Sequence, residues 1–235
     1  DDFRLCQQEM SEIRFPDSSL CFTNEFEFFR QEVAEKFPAQ IDGFNKLVEK
    51  IRNYDELSLE GADGLSSRPV LESFINDPVL IDMLFCPLMY YGNAREGDMD
   101  FYQFVIMFKS IFIEGFSKPQ GGMNYILNLM VQRYKDLGGE MRLGNGVKAI
   151  NTRKGSVSSV TLEDGEELAT QAVLSSMGYI ETMRCCEPEI SAIETCETGQ
   201  VSFMESLFVV DKMPRDLGYD KSIVFFSTQP RFDYK

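Results

Sequence analysis

The chain has 235 residues, 43% of them hydrophobic and 26% charged, a balance ordinary for folded protein and too apolar for disorder. Its 38 acidic against 23 basic side chains leave a formal charge of −15. Such a surface repels nucleic-acid phosphates and anionic head groups, so no nucleic-acid partner is expected, while a local apolar contact at a membrane periphery stays open. Histidine is absent, which excludes an imidazole base or ligand within these residues.

The most apolar stretch, 101–113, is interrupted by Gln103, Lys109 and Ser110 and is too short to span a bilayer. Six cysteines stand at 6, 21, 86, 185, 186 and 196. None forms a CxxC pair, so no zinc pattern and no metal site is expected, and the thiols read as reduced in a cytoplasmic protein. The first residues carry no initiator Met and no leader pattern, and the last end without a cap. Both ends read as those of a piece of a longer chain.

In chain order, residues 12–15 and 20–22 are two strands around a Pro16-Asp17 turn. Thr23 or Asn24 then caps a helix bearing Phe26, Phe29, Val33 and Phe37 at helical spacing, and Pro38 ends it. A second helix runs from about Ile41 through Phe44, Leu47, Val48 and Ile51. Residues 61–67 are a loop by composition, followed by a short helix with Val70, Leu71, Phe74 and Ile75. Asp77-Pro78 opens a further helix. Asp100 caps an aromatic-rich one that reaches Gly115. That last helix is apolar on nearly every side, so it is either plain core or the wall of an apolar cavity formed by Phe101, Phe104, Phe108 and Phe112.

From residue 119 the pattern changes. Pro119-Gln120-Gly121-Gly122-Met123 leads into an amphipathic helix carrying Ile126, Leu127, Met130, Val131 and Tyr134 on one face, with a stop at Gly138-Gly139. Residues 140–143 form a short strand. A meander follows: a strand from Gly146, a second carrying Val157, Val160 and Leu162, a turn at Asp164-Gly165, then Leu168 and a last strand over 172–176. Residues 202–210 and 222–226 are two further strand candidates.

Gly144-Asn145-Gly146-Val147-Lys148-Ala149 satisfies the spelling of a dinucleotide fingerprint. The chemistry behind that spelling needs a helix N-terminus right after the glycines, to aim amides at a pyrophosphate. Here Ile150-Asn151-Thr152 and a Lys-Gly turn follow, so the glycines read as a turn between strands. The acidic pairs Glu163/Asp164 and Glu166/Glu167 fall at a hairpin and read as solvated. No GxSxG elbow and no phosphate loop occurs.

Residues 118–177 resemble the phytoene desaturase-like branch of the FAD-dependent amine oxidase superfamily. The resemblance rests on ordered blocks: Pro119-Gln120-Gly121-Gly122-Met123, an amphipathic helix, Leu137-Gly138-Gly139-Glu140-Met141-Arg142-Leu143, Val147-Lys148-Ala149-Ile150, Gly155 to Val160, Leu162 to Gly165, and Ala172-Val173-Leu174-Ser175-Ser176. It implies an α+β or α/β protein, part of a two-domain oxidoreductase in which a helical, mixed-sheet substrate domain is inserted into an FAD domain. Residues 1–117 would be substrate domain, 118–180 a helix, strand and meander of the FAD domain, and 181–235 a return to the substrate sheet. FAD is the implied cofactor and an apolar polyene, isoprenoid or other lipid-like molecule the implied substrate of a desaturase, saturase or isomerase. Val147 would set its backbone against the adenine end, with Ser175, Ser176 and Met177 approaching the cofactor. Gly121, Gly122 and Met123 would lie near the boundary between flavin and substrate cavity. The family's strand–GxGxxG–helix segment and its glycine-rich flavin segment are not found among these residues, so the chain alone is expected to hold FAD weakly. No catalytic acid or base is implied. The other reading is a non-catalytic binding module of the same architecture that carries lipid or prenylated protein.

Overall fold

The computed structural model describes residues 4–55, 64–91, 97–188 and 204–232. The chain forms two compact units, one of residues 1–127 with 206–235, the other of residues 128–205.

The first unit opens with β1 (Leu5–Gln7), β2 (Ser11–Phe15) and β3 (Ser18–Phe22). β2 and β3 pair antiparallel across the Pro16-Asp17 turn, with Phe15 opposite Ser18, as the sequence pattern requires. Ile13, Leu20 and Phe22 are buried on the inner face. α1 (Phe26–Lys36) follows, and Pro38 blocks its extension because it lacks the donor that another turn needs. The expected cap is corrected here. Glu25 holds the N-cap position, while the Asn24 side chain donates to the Phe116 carbonyl and accepts from the Phe116 N–H, both at 3.0 Å. The amide that would have capped a helix instead ties two distant segments. α2 (Ile41–Arg52) buries Phe44, Leu47, Val48 and Ile51 at its expected spacing. α3 (Ser67–Glu72) is shorter than its apolar pattern suggests. α4 (Pro78–Met89) is capped as expected, the Asp77 carboxylate accepting from Val79 N–H at 2.9 Å and Leu80 N–H at 3.2 Å.

α5 (Phe101–Phe108) has Asp100 at its N-cap position without a side-chain capping bond, and it continues as a π-helical turn over Lys109–Glu114 rather than as an α-helix to Gly115. β4 (Ser117–Pro119) then pairs antiparallel with β1. That pairing lies within the first unit, which continues to Leu127. α6 (Met123–Asp136) begins after Gly121 (φ +93°) and Gly122 (φ +77°). A Cβ at Gly122 would meet nothing within 4 Å, so the positive φ rather than crowding requires glycine.

In the second unit α6 stops at Gly138 (φ +84°), with Gly139 N–H bonded to the Tyr134 carbonyl at 2.9 Å. Any Cβ on Gly139 would strike the Tyr134 ring at 2.4 Å. β5 (Val147–Arg153), β6 (Ser156–Leu162) and β7 (Glu167–Ala169) form the meander, then come α7 (Tyr179–Arg184) and β8 (Cys186–Glu187). The sheet order is β7-β6-β5-β8, with β8 parallel to β5 through Ile150–Cys186 and Asn151–Glu187. This contact lies within the second unit, which runs to Glu205, and Ser206 begins the later part of the first.

Two expected strands in this unit are not there. Residues 140–143 and 172–176 carry no strand, and Leu143 and Leu174 are exposed. A strand needs a neighbour to take its N–H and C=O groups, and no strand among the described residues runs beside either segment.

β9 (Ile223–Phe226) returns to the first unit and lies parallel to β2, giving the sheet order β3-β2-β9. The other late strand candidate, 202–210, is also corrected. Residues 204–210 are exposed and unpaired, and Ser202 and Phe203 lie outside the described residues. Among the described residues no helix is long and apolar enough to cross a membrane.

The core of the first unit is aromatic. Phe101, Phe104, Phe108 and Phe112 recur at helical spacing and touch in sequence at centroid separations of 6.2, 5.8 and 5.0 Å. Phe112 stacks on Phe29 of α1 at 4.4 Å and 2°. Burial lifts the Cys86 thiol on α4 to about 12 from its ordinary 9.0, with the Asp82 charge adding to the rise. The unfolded thiol ionises first, so this group withdraws stability as pH rises from 9.0 to about 12. In native protein at pH 8, iodoacetamide is expected to modify exposed Cys6 and leave Cys86 untouched. Modification of Cys86 at the rate of Cys6, read by peptide mass, contradicts that burial.

Candidate functional site

The second unit offers its open ground at the start of β5. The Gly144-Asn145-Gly146 turn enters a strand rather than a helix, as its context requires. Its groups are engaged by the neighbouring hairpin: Glu163 N–H donates to the Gly146 carbonyl at 2.9 Å, and the Asn145 side chain donates to Asp164 at 2.8 Å. A Cβ on Gly146 would come within 3.0 Å of the Glu163 side chain. The turn is therefore closed by its own hairpin and presents no phosphate cradle.

Val147 begins β5 and is 44% exposed. One edge of β5 is paired with β6, with Val147 opposite Leu162. On the other edge β8 reaches only Ile150 and Asn151. Residues 147–149 consequently have no strand partner on that edge among the described residues, and a flat heteroaromatic edge could take their backbone groups. Ser175, Ser176 and Met177 lie in exposed coil rather than at a strand end. The Ser175 hydroxyl is engaged locally, accepting from Met177 N–H at 3.3 Å and from the Thr182 hydroxyl at 2.7 Å.

The residues singled out in the first unit divide in two. Phe101, Phe104, Phe108 and Phe112 are wholly buried in the ring ladder, so in this structure they fill core and line no open surface. Gly121, Gly122 and Met123 are exposed at the turn into α6, with Met123 at 61%. Glu166 pairs with Arg142 at 2.8 Å, and the Ser159 hydroxyl donates to the Glu167 carboxylate, so these acids are bound into the meander surface. No group of three or more metal-ligating side chains occurs among the described residues. The described cysteines are free, and Cys196 lies outside the described residues.

Sequence reasoning missed one buried charge. Asp82 is fully buried on α4. Arg231 Nε donates to its Oδ2 at 2.5 Å, and Arg68 Nη1 stands 2.8 Å from Oδ1 as an ion pair too bent for a hydrogen bond. Arg68 also lies over the Phe85 ring at 5.0 Å and donates to the Gly97 carbonyl at 2.9 Å. The available signal was a single acid within the otherwise apolar run of α4. With both oxygens facing guanidinium groups, Asp82 is a structural anchor rather than an acid or base.

Residues 147–149 thus leave one backbone edge open, behind a turn that offers no phosphate cradle. A polypeptide of these 235 residues is expected to show no saturable change in flavin fluorescence on titration with FAD. Tight stoichiometric binding would overturn that expectation.

Comparison with known proteins agrees with the sequence resemblance. The chain is 36% identical over 205 residues to a lycopene-forming phytoene desaturase of Pseudescherichia vulneris, covering 77% of this chain and 40% of that protein. A 66-residue stretch is 36% identical to the lycopene-forming enzyme of Pantoea ananas, covering 28% of this chain and 13% of the relative. Another of 91 residues is 30% identical to a phytoene desaturase of Fusarium fujikuroi, 38% of this chain and 16% of that one. The chain therefore spans two fifths or less of the length of these curated relatives. In fold it is similar to an oxidoreductase of Methanosarcina mazei, with a TM-score of 0.59 at 17% identity over 81% of this chain and 44% of that one. The sequence profile described as flavin containing amine oxidoreductase matches residues 4–200. The chain belongs to the flavin-containing amine oxidoreductase family.

Proposed function

We propose that this chain supplies the substrate-domain core and the adenine-side sheet of an FAD-dependent oxidoreductase acting on a polyene, isoprenoid or similarly apolar substrate. The observation that carries the reading is the Gly146-Val147 turn into β5, a strand start with one backbone edge open, inside a stretch matched by the family profile. The identity to phytoene desaturases supports the substrate class.

When bound, FAD would supply a two-electron acceptor, taking both electrons together as a hydride. The chain's own residues bind and orient. Residues 147–149 would take the adenine edge with main-chain groups, and Ser176 and Met177 would border it. The Gly121-Gly122 turn, with open space where each Cβ would project or only a loose contact to Tyr125, lets another group approach the backbone closely. The buried phenylalanine ladder keeps the first unit rigid behind that turn. No side chain is assigned a proton-transfer role.

The test is product analysis. The full gene product, incubated with phytoene and an electron acceptor, is expected to yield products successively two hydrogens lighter, read by mass and by absorbance moving to longer wavelength. Unchanged phytoene with any acceptor, together with capture of a prenylated peptide, would replace this reading with that of a carrier.

A further inference from the structure

β9 is an edge strand. β2 lies on one side of it, and no strand among the described residues lies on the other. Ser227 N–H donates to the Arg14 carbonyl, and Arg14 stands opposite Phe226, so Phe225 bonds toward β2 and by alternation the N–H and C=O groups of Val224 and Phe226 face the open edge. Such an edge is an unsatisfied template. The side chains of β9 are apolar on both faces. Phe225 is buried toward the core, whereas Val224 and Phe226 are 37% and 57% exposed beside a hollow of about 490 Å³ lined by Arg14, Pro16 and Thr228 among others.

The same unit contains a segment with the complementary defect. Residues 206–210, Ser-Leu-Phe-Val-Val, lie in coil with Leu207, Phe208 and Val209 each at least 85% exposed. Their composition is that of a strand buried on both faces, because Leu207 and Val209 alternate with Phe208 and Val210. Leaving three such side chains in water is unfavourable relative to burying them. The connection over 211–222 contains a short helical turn, Pro214–Leu217, reversed at Gly218 (φ +87°). Arg215 pairs with Glu9 at 2.5 Å, so the connection is already fixed beside the sheet. A reversing connection of that length suits antiparallel neighbours, and strands consecutive in sequence usually pair.

We propose that residues 206–210 are a strap that closes as a fourth strand, antiparallel to β9 on its open edge, extending the sheet to β3-β2-β9-strap. Closure gives the outward groups of Val224 and Phe226 partners. It also sets one apolar row of the strap beside Phe225 and the other beside Val224 and Phe226, narrowing the hollow on the outer face. The occupant is this chain's own segment, because it lies in the same compact unit and is tethered one connection away. The inference is independent of the flavin assignment.

Amide hydrogen exchange on the whole chain tests it. Amides of 206–210 are expected to exchange at least roughly tenfold more slowly than in an unstructured peptide, independently of protein concentration. Val209→Pro, which removes a strand donor, is expected to abolish that protection and speed exchange at Val224 and Phe226 while β2 amides stay unchanged. Exchange at the unstructured rate overturns the proposal. Protection that grows with concentration also overturns it, since the partner is then a second copy. Protection that survives Val209→Pro overturns it as well. A second substitution, Phe208→Lys, keeps the donor, removes an apolar contact, and is expected to weaken protection only in part.

Discussion

Replacing Phe112 by alanine is expected to lower the stability of the first unit by about 4 kcal/mol, in the range for an aromatic ring deleted from a tight core. Phe112 has no solvent exposure. It stacks flat on Phe29 at 4.4 Å, meets Phe22 edge-on at 5.2 Å and touches Phe108 at 5.0 Å. The ring therefore joins α1, β3 and α5, and its loss leaves a cavity bounded by three different elements. Those elements cannot collapse together, because Asn24 and Phe116 lock the end of β3 to the chain after the π-turn. Urea unfolding followed by circular dichroism reads the effect. With a slope of about 2 kcal/mol/M, the midpoint should fall by roughly 2 M. A fall of less than about 0.5 M would mean that the ladder is loosely packed.

The second large effect is expected at Asp82. Asp82→Asn keeps the shape and an acceptor for Phe232 N–H, which lies 3.3 Å from Oδ2, but removes the charge that faces Arg68 and Arg231. Breaking a buried ion pair from one side typically costs 3–5 kcal/mol. Arg231 is more than half exposed and can turn to water, so the low end, about 3 kcal/mol, is expected. The double variant Asp82→Leu with Arg68→Met should recover most of the loss, since an apolar replacement of both partners is often neutral. A double variant as unstable as the single one would show that shape rather than unpaired charge sets the cost. Loss of Asp82 should also free residues 231 and 232 from α4, visible as faster amide exchange at Phe232.

Local signals in the sequence transferred well to the structure. The Pro16-Asp17 hairpin, the Asp77 cap, the Pro38 stop and the Gly138-Gly139 stop are each fixed by residues within a few positions, and each appears where its chemistry places it. The reading of Gly144-Asn145-Gly146 as a turn before a strand also depends only on neighbours. Features set by distant partners were not legible. Residues 140–143, 172–176 and 204–210 have strand-like composition, but pairing is decided by a neighbour that local sequence does not name. Asn24 suits a helix cap by type, and its true partner is Phe116, 92 residues away. Asp82 gave no periodic or motif signal, because its partners come from α3 and from beyond β9. Of the residues first assigned to a site, Val147 lies on an open strand edge, whereas the four phenylalanines lie in closed packing. The spacing of an apolar helix cannot separate a cavity wall from a core.

If this polypeptide serves a flavin, the visible spectrum of the purified full gene product carries the signature. The expected result is a yellow protein with an oxidised-flavin band that bleaches on reduction without oxygen. Material that stays colourless after reconstitution with excess FAD would contradict it.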